Sequence, residues 1–521
     1  MLPSWQSLSL RQQVAQMVVA RASGHLFDHQ IAYPAWEPPA SLLQHWVSDL
    51  GIGGVILLGG SAAEVNQRCQ QLQSWAAVPL FLAADIEEGV GQRFAGATWF
   101  PPPMAIAHIC HDNFKQAKAH ARTMGAITAQ EALAVGLNWV LGPVVDVNNN
   151  PDNPVINVRA FGDDPATVEA LATAFIEGAR AYPVLTAAKH FPGHGDTAID
   201  SHLELPTVHH DRDRLESIEF PPFEAAIEAG VDSIMSAHLL VPSLDPHRPA
   251  TLSPKILTAL LRQDLGFDGI IVTDALVMGA IAQTYGTGEA AVMAVEAGAD
   301  VLMMPLDPAE AVEAVCAAVE TGRIPLETVH QSLERIWRGK TRIDAVPPVP
   351  APIWQQLSQP AATAAVAEIL EQSLSQQGGS VARAHQGHNV ILIDDVLGCD
   401  FLDHQAPAIA LPAQQGYATL HLLDETQPQP KIPEDEPVLL QLFVRGNPFR
   451  GSAKLQDQRW QALAAHPNLQ GVVVYGSPYS WRQVRDALGS TPGLFTYGQM
   501  PAAQAIALSA LLQTSAALSP R

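Results

Sequence analysis

Four cysteines in 521 residues, Cys69, Cys110, Cys316 and Cys399, are too few and too widely spaced for a disulfide framework or a thiolate zinc site. Reduced, partly buried thiols are expected instead. Basic residues are also short: Lys+Arg is 29 against 52 Asp+Glu, a net charge of −23. A surface of that sign repels phosphate backbones and anionic lipid, so neither nucleic acid nor a membrane is expected as a partner. Charged residues reach only 16 % while hydrophobic ones make up 47 %, which excludes an intrinsically disordered chain. No stretch of about 18 apolar residues is present, so no membrane span is expected. The opening MLPSWQSLSLRQQVAQMVVAR has no basic segment followed by an apolar one. It reads as a helix beginning at Ser7 or Ser9 that leads into a strand, with no secretory signal, and a cytoplasmic location is expected.

What the chain does have is a rhythm. Short apolar runs at 15–21, 52–58, 79–85, 138–145, 184–189, 231–237, 269–273 and 299–304 alternate with Ala-rich helical stretches such as 62–76, 120–136, 166–181, 221–229 and 288–297. Near-continuous apolar runs are the pattern of parallel strands buried on both faces. Eight of them, each followed by a helix, fit a closed (β/α)8 TIM-type barrel better than an open sheet. The tract VPPVPAP at 346–352 cannot continue a helix and reads as a linker. A helix over 361–375, strands at 389–394, 437–444, 470–475 and 494–497, and a terminal helix AAQAIALSALLQ follow. They predict a smaller doubly wound α/β sandwich domain. The tracts AIALPAQQG and DETQPQPKIPEDEP read as loops. The expected organisation is a barrel over 1–342, a Pro-rich linker over 343–360 and the second domain over 361–521.

The most informative segment is 189–202, KHFPGHGDTAIDSH. It starts where a strand ends, and in barrels the loops at the carboxyl ends of strands carry the chemistry. It gathers Lys189, His190, His194, Asp196, Asp200 and His202 without apolar periodicity, and the glycines beside His194 allow a tight turn and close approach to a ligand. His190 and His194 are four apart, but that spacing unites metal ligands on a helix, which Pro192 and Gly193 oppose, so no metal is expected. Asp200 and His202 are two apart. In a turning loop the carboxylate can accept from one imidazole nitrogen, fix its tautomer and free the other nitrogen for proton transfer. In GIIVTDALVM an apolar strand runs directly into Asp274, and in LFLAADIEEGVGQRF another runs into Asp85, with Arg93 eight residues on. Arg159 follows a strand in PVINVRAFGDDP. Taken alone, such an Asp is often a helix cap and such an Arg a surface ion-pair member.

Together these motifs resemble glycoside hydrolase family 3, in its β-N-acetylhexosaminidase branch. The resemblance rests on KHFPGHGDTAIDSH, IVTDALVMGAI, NVRAFGDDP and the weaker DIEEGVGQRF, with SIMSAHLLVPSLDPHRPATLS in support, and covers about residues 8–340. It implies Asp274 as nucleophile, His202 as acid/base, Asp200 as its dyad partner, and Asp85, Arg93, Arg159, Lys189 and His190 as substrate-binding residues, with no cofactor and an oligosaccharide substrate. It also implies removal of terminal GlcNAc from murein fragments or chitooligosaccharides. Two departures stand out: Ala160 occupies a usual Ser position, and around Asp85 the residues Glu88 and Val90 replace a glycine and an arginine. Phosphorolysis with the same residues is an alternative, because a neutral His tolerates phosphate where a Glu repels it. A catalytically silent sugar-binding protein is another. Substrate-assisted catalysis needs adjacent acids at a strand end, whereas Asp163–Asp164 and Asp394–Asp395 read as solvated or capping acids. The oligomeric state is not legible.

Overall fold

The computed structural model describes residues 2–201, 203–344, 353–394, 399, 401–445 and 458–513. Its first sheet holds eight parallel strands: β1 (Val18–Ser23), β2 (Gly54–Leu58), β3 (Phe81–Ala84), β4 (Trp139–Val140), β5 (Leu185–Phe191), β6 (Ser233–Ser236), β7 (Ile270–Thr273) and β8 (Leu302–Met303). Each pairs with its neighbour in chain order, and β8 returns to β1. A parallel bridge between Val272 and Val301 joins β7 to β8 and closes the ring. Every apolar run anticipated from the sequence is therefore a barrel strand. Burial on both faces explains their composition: β1 to β8 are buried almost throughout. The first helix starts at the expected serine. The Ser9 side chain accepts from the Gln12 amide and Gln12 reaches back to the Ser9 N–H, a reciprocal capping box.

The amino ends of the strands are closed by a buried lysine. The Lys340 ammonium donates to Gln16 Oε1 (2.7 Å), the Gly53 carbonyl (3.1 Å) and the Pro79 carbonyl (2.7 Å), one acceptor for each N–H. A long helical segment, Pro103–Val135, packs against the helix Pro165–Ala179. Asn113 leaves helical geometry inside the first, and its side chain accepts from the Gln116 amide, so it caps a second stretch. The two helices meet at reciprocal glycines: a Cβ on Gly125 would lie 2.1 Å from the Phe175 carbonyl oxygen, and one on Gly178 2.0 Å from that of Arg122. No larger residue permits this approach.

The second sheet has six strands among the described residues: β9 (Ser375–Gln377), β10 (His388–Ile393), β11 (Thr419–Leu423), β12 (Val438–Val444), β13 (Leu469–Gly476) and β14 (Gly493–Thr496). Their order is β11-β10-β12-β13-β14-β9, parallel except for β9. Successive residues face opposite cores. Leu440, Leu442, Val472 and Val474 pack with Trp460 and Trp481, whereas Leu439, Phe443, Val473 and Tyr475 pack with Leu508 and Leu511. Helices thus cover both faces, as a doubly wound domain requires.

Three expectations in this region need correction. The helix anticipated over 361–375 spans Pro360–Gln372 and gives way to β9. Strand β11 was not anticipated; it is an edge strand with Thr419 and Leu420 exposed, and so lacks the apolar run that betrayed the others. The tract AIALPAQQG is not a loop: Pro407–Gln414 is a helix with Pro412 inside it. Proline lacks the N–H that would bond the Ala408 carbonyl. That carbonyl instead accepts from two buried amides, Asn389 Nδ2 (2.9 Å) and Gln441 Nε2 (2.7 Å). Gln441 also donates to Asn389 Oδ1 (2.7 Å) and accepts from the Tyr475 hydroxyl (2.9 Å). Of the expected linker, residues 345–352 lie outside the described residues, as does Asp395. Among the described residues no helix is long and apolar enough to cross a membrane.

The Gln441 network generates a prediction. Gln441→Leu takes their Gln441 partner from the Tyr475 hydroxyl and Asn389 Oδ1, while the Ala408 carbonyl keeps Asn389 Nδ2. It is expected to lower the unfolding free energy by about 1–3 kcal/mol per orphaned group, measured by equilibrium denaturation against the parent chain.

Candidate active site

The carboxyl ends of the barrel strands converge on a set of buried charges. The residue after β3 is Asp85, and β5 carries Lys189 and His190. The Lys189 ammonium is 1 % exposed and contacts Asp85 Oδ1 at 2.7 Å and Glu87 Oε1 at 2.6 Å. Arg159 approaches the same Glu87 from the loop after β4 as a fork, Nη2–Oε1 at 2.7 Å and Nε–Oε2 at 2.9 Å, and donates Nη1 to the Val155 carbonyl at 3.0 Å. Burial alone would raise the Glu87 carboxyl, but Arg159 and Lys189 outweigh it and hold it well below the usual carboxylate range. Burial would likewise discharge Lys189, yet Asp85 and Glu87 reverse this and raise it. Arg93 lies on the exposed side and donates Nε to the Asp85 carbonyl (3.0 Å).

His190 is held by a residue the sequence reading passed over. Asp146, which is 1 % exposed, accepts from His190 Nδ1 (2.8 Å), from the His190 N–H (3.1 and 3.2 Å) and from the His194 N–H (2.7 Å). Its carboxyl would be raised by burial but is lowered overall by His190. Fixing Nδ1 in this way sets the ring's tautomer and turns Nε2 away from Asp146. Glu87 was also missed. Asp146 carries the signal that singled out Asp85 and Asp274, an acid following the apolar run NWVLGPVV; Glu87 lies two residues beyond Asp85 and carries no such mark.

The loop 192–201 folds inward. His194, Thr197, Asp200 and Ser201 are all buried, and Asn153 Nδ2 ties the His194 and Gly195 carbonyls at 2.8 and 2.9 Å. The glycines were expected to admit a ligand; at Gly195 the close approach is to the chain itself, since a Cβ there would sit 1.8 Å from the Val147 carbonyl oxygen. The His194 ring meets hydroxyls on both sides, Thr197 Oγ1 at Nδ1 (2.8 Å) and Ser201 Oγ at Nε2 (3.0 Å). Its burial pushes the pKa down to about 4, opposed by Asp146 and, more weakly, by Asp274. Asp274 follows β7 and is half-buried, with its N–H on the Ser236 carbonyl (3.1 Å) and its Oδ1 accepting from the Ala275 N–H (2.8 Å). The next helix begins only at Gly279, so Asp274 is no helix cap. Asp164, by contrast, caps the helix Pro165–Ala179 through the Thr167 amide, as a capping acid should. Asp200 accepts at its carbonyl from the Leu203 and Glu204 amides (3.0 and 3.1 Å). His202 lies outside the described residues.

The structure thus joins Asp85, Arg93, Arg159 and Lys189 through Glu87 and places His190, held by Asp146, next to Lys189 on β5, with Asp274 close enough to influence His194. This arrangement predicts an acid-sensitive stability. His194 is neutral in the folded chain down to about pH 4 but in an unfolded chain takes up its proton near the ordinary histidine value of 6.5. Its contribution is full above about pH 6.5 and is lost as the pH falls towards 4. Denaturation midpoints of the parent and of His194→Gln should differ most at pH 7 and converge by pH 4.5.

Comparison with known proteins agrees with this geometry. Residues 9–338 match the glycosyl hydrolase family 3 N-terminal domain, and residues 380–513 match the bacterial glycosyl hydrolase family 3 C-terminal domain. The chain is 36 % identical over 332 residues to β-hexosaminidase A of Pseudoalteromonas piscicida, covering 58 % of this chain and 55 % of that protein. It is 32 % identical over 297 residues to a β-N-acetylglucosaminidase/β-glucosidase of Cellulomonas fimi, covering 55 % and 52 %. The chain thus spans about half the length of these two relatives. A solved family 3 β-N-acetylglucosaminidase from Paenibacillus sp. str. FPU-7 superimposes over 97 % of both chains, with a TM-score of 0.78 and 30 % identity. With a matching N-terminal model over most of its length and the barrel to go with it, the chain belongs to glycoside hydrolase family 3.

Proposed function

We propose that the chain is a retaining glycoside hydrolase that removes terminal non-reducing β-linked N-acetylglucosamine from murein fragments or chitooligosaccharides. Residues 1–342 form the catalytic unit. Asp274 attacks the anomeric carbon as the His202 imidazolium donates its proton to the leaving oxygen, which breaks the glycosidic bond and forms a glycosyl ester on Asp274. Neutral His202 then takes a proton from water, which attacks the same carbon and frees the sugar and the Asp274 carboxylate. Asp200 orients His202. Asp85, Arg93, Arg159, Lys189 and His190 bind the sugar.

The observation that carries this reading is the charge arrangement in one barrel mouth. Lys189 is buried between two carboxylates, His190 is held at Nδ1 by Asp146, and Asp274 stands half-exposed after β7. Such a mouth offers fixed donors and acceptors for sugar hydroxyls around a carboxylate nucleophile. The likeness to proteins named β-hexosaminidase and β-N-acetylglucosaminidase supports the choice of sugar. An imidazole in place of the second carboxylate has an electrostatic rationale. Imidazolium beside anionic Asp274 is attracted, whereas two ionised carboxylates repel. Ester formation neutralises Asp274, so His202 loses its proton more readily at the step where a base is needed.

Asp274→Ala is expected to reduce turnover of an aryl β-N-acetylglucosaminide by more than about 10³-fold, and a 2-fluoro sugar should leave a covalent adduct on Asp274 detectable by mass spectrometry of the digested protein. His202→Ala should slow natural oligosaccharides far more than activated aryl glycosides, whose leaving groups need little protonation. Equal losses on both substrates would remove His202 as the acid. Accumulation of sugar 1-phosphate only when phosphate is present would replace water by phosphate as the acceptor.

A further inference from the structure

The carboxyl edge of the second sheet meets the loops at the barrel mouth, and it does so at two positions that bear on the charge network. Arg445, the residue after β12, is paired with Glu88: its guanidinium engages both Glu88 oxygens, Nη1 to Oε2 at 3.0 Å and Nη2 to Oε1. Glu88 is fully buried, and Trp99 Nε1 donates to the same carboxylate at 3.1 Å. Tyr479, three residues after β13, takes a hydrogen bond from Asn148 Nδ2 at 2.8 Å. Asn148 is 1 % exposed, and its backbone N–H reaches the Gly162 carbonyl (3.0 Å) on the loop that carries Arg159.

The anchor points are not random places on the barrel. Glu88 adjoins Glu87, which holds Lys189 and Arg159. Asn148 is two residues from Asp146, which holds His190 and the start of the inward loop. A buried carboxylate must be paired, so Glu88 that loses Arg445 must move to find another partner. Movement there carries Glu87 with it, because adjacent residues share one peptide plane.

We propose that Arg445 and Tyr479 are positioning residues: through Glu88 and Asn148, the second sheet fixes the two acids that hold the substrate-binding side chains of the barrel. The kinetic consequence rests on the function proposed above; the structural one does not.

The test uses the full chain with Arg445→Met, Arg445→Lys and Tyr479→Phe, and Arg323→Met as a control that removes an exposed ion pair with Glu289 and Glu296 on the barrel's outside. On an aryl β-N-acetylglucosaminide, Arg445→Met should raise KM about tenfold with kcat within about twofold. Arg445→Lys should recover part of that loss by keeping the charge without the fork, and Tyr479→Phe should raise KM by a smaller factor. Amide hydrogen exchange should quicken in 85–93 and 146–162 for Arg445→Met and stay unchanged in the control. Unchanged exchange in both loops overturns the proposal whether or not the chain is active. In an active enzyme, an unchanged KM, or a fall in kcat and melting temperature with KM fixed, also overturns it. A parent chain that hydrolyses no N-acetylglucosaminide defeats the functional reading alone, and the exchange result then decides this one.

Discussion

A carboxylate that water cannot reach must be answered by cations, and the barrel mouth is organised around that requirement at Glu87. Two cations converge on it, Lys189 from β5 and Arg159 from the loop after β4, and Asp85 shares the lysine. Neither Glu87 nor Lys189 would be stable there alone: an unpaired buried charge costs several kcal/mol, while the assembled set offsets desolvation by attraction at close range. The network therefore locks together the loops after β3, β4 and β5, and each side chain arrives at the mouth with its rotamer already chosen. Preorganisation of this kind spares a ligand the entropy of ordering its own site.

Asp146 performs the same service by a different chemistry. One carboxylate accepts from the His190 ring, the His190 backbone and the His194 backbone, so it fixes a tautomer and a loop start together. The inward loop beyond it depends on close backbone contact at Gly195 and on the Asn153 amide. Buried polar bonds of this kind suit a site meant for a hydroxyl-rich ligand.

Much of this was legible in the sequence, for physical reasons. The eight barrel strands announced themselves because parallel strands buried on both faces must be apolar throughout. Asp85, Asp274 and the 189–202 loop were found because a charged residue directly after such a run has nowhere to lie but at the carboxyl end. Asp146 obeyed the same rule and could have been found by it. Glu87 could not, since its importance comes from Lys189 and Arg159, which are distant in the chain. The same is true of Glu88 and Arg445, whose pairing is a property of the assembled fold. In the second sheet, β11 escaped because an edge strand needs no apolar pattern. The helix at Pro407–Gln414 escaped because Pro412 argues against helix until the amides of Asn389 and Gln441 are seen to take its missing place.

The reciprocal glycines of the barrel helices have a reach beyond their own contact. The helical segment Pro103–Val135 that they seat also receives the second unit: Gln116 donates to Glu368 and His120 meets Gln372, both on Pro360–Gln372. One apolar cluster runs without interruption from the barrel through this helix into the near face of the second sheet. The two lobes thus share one spine, and an excised barrel would carry a raw greasy flank into solution.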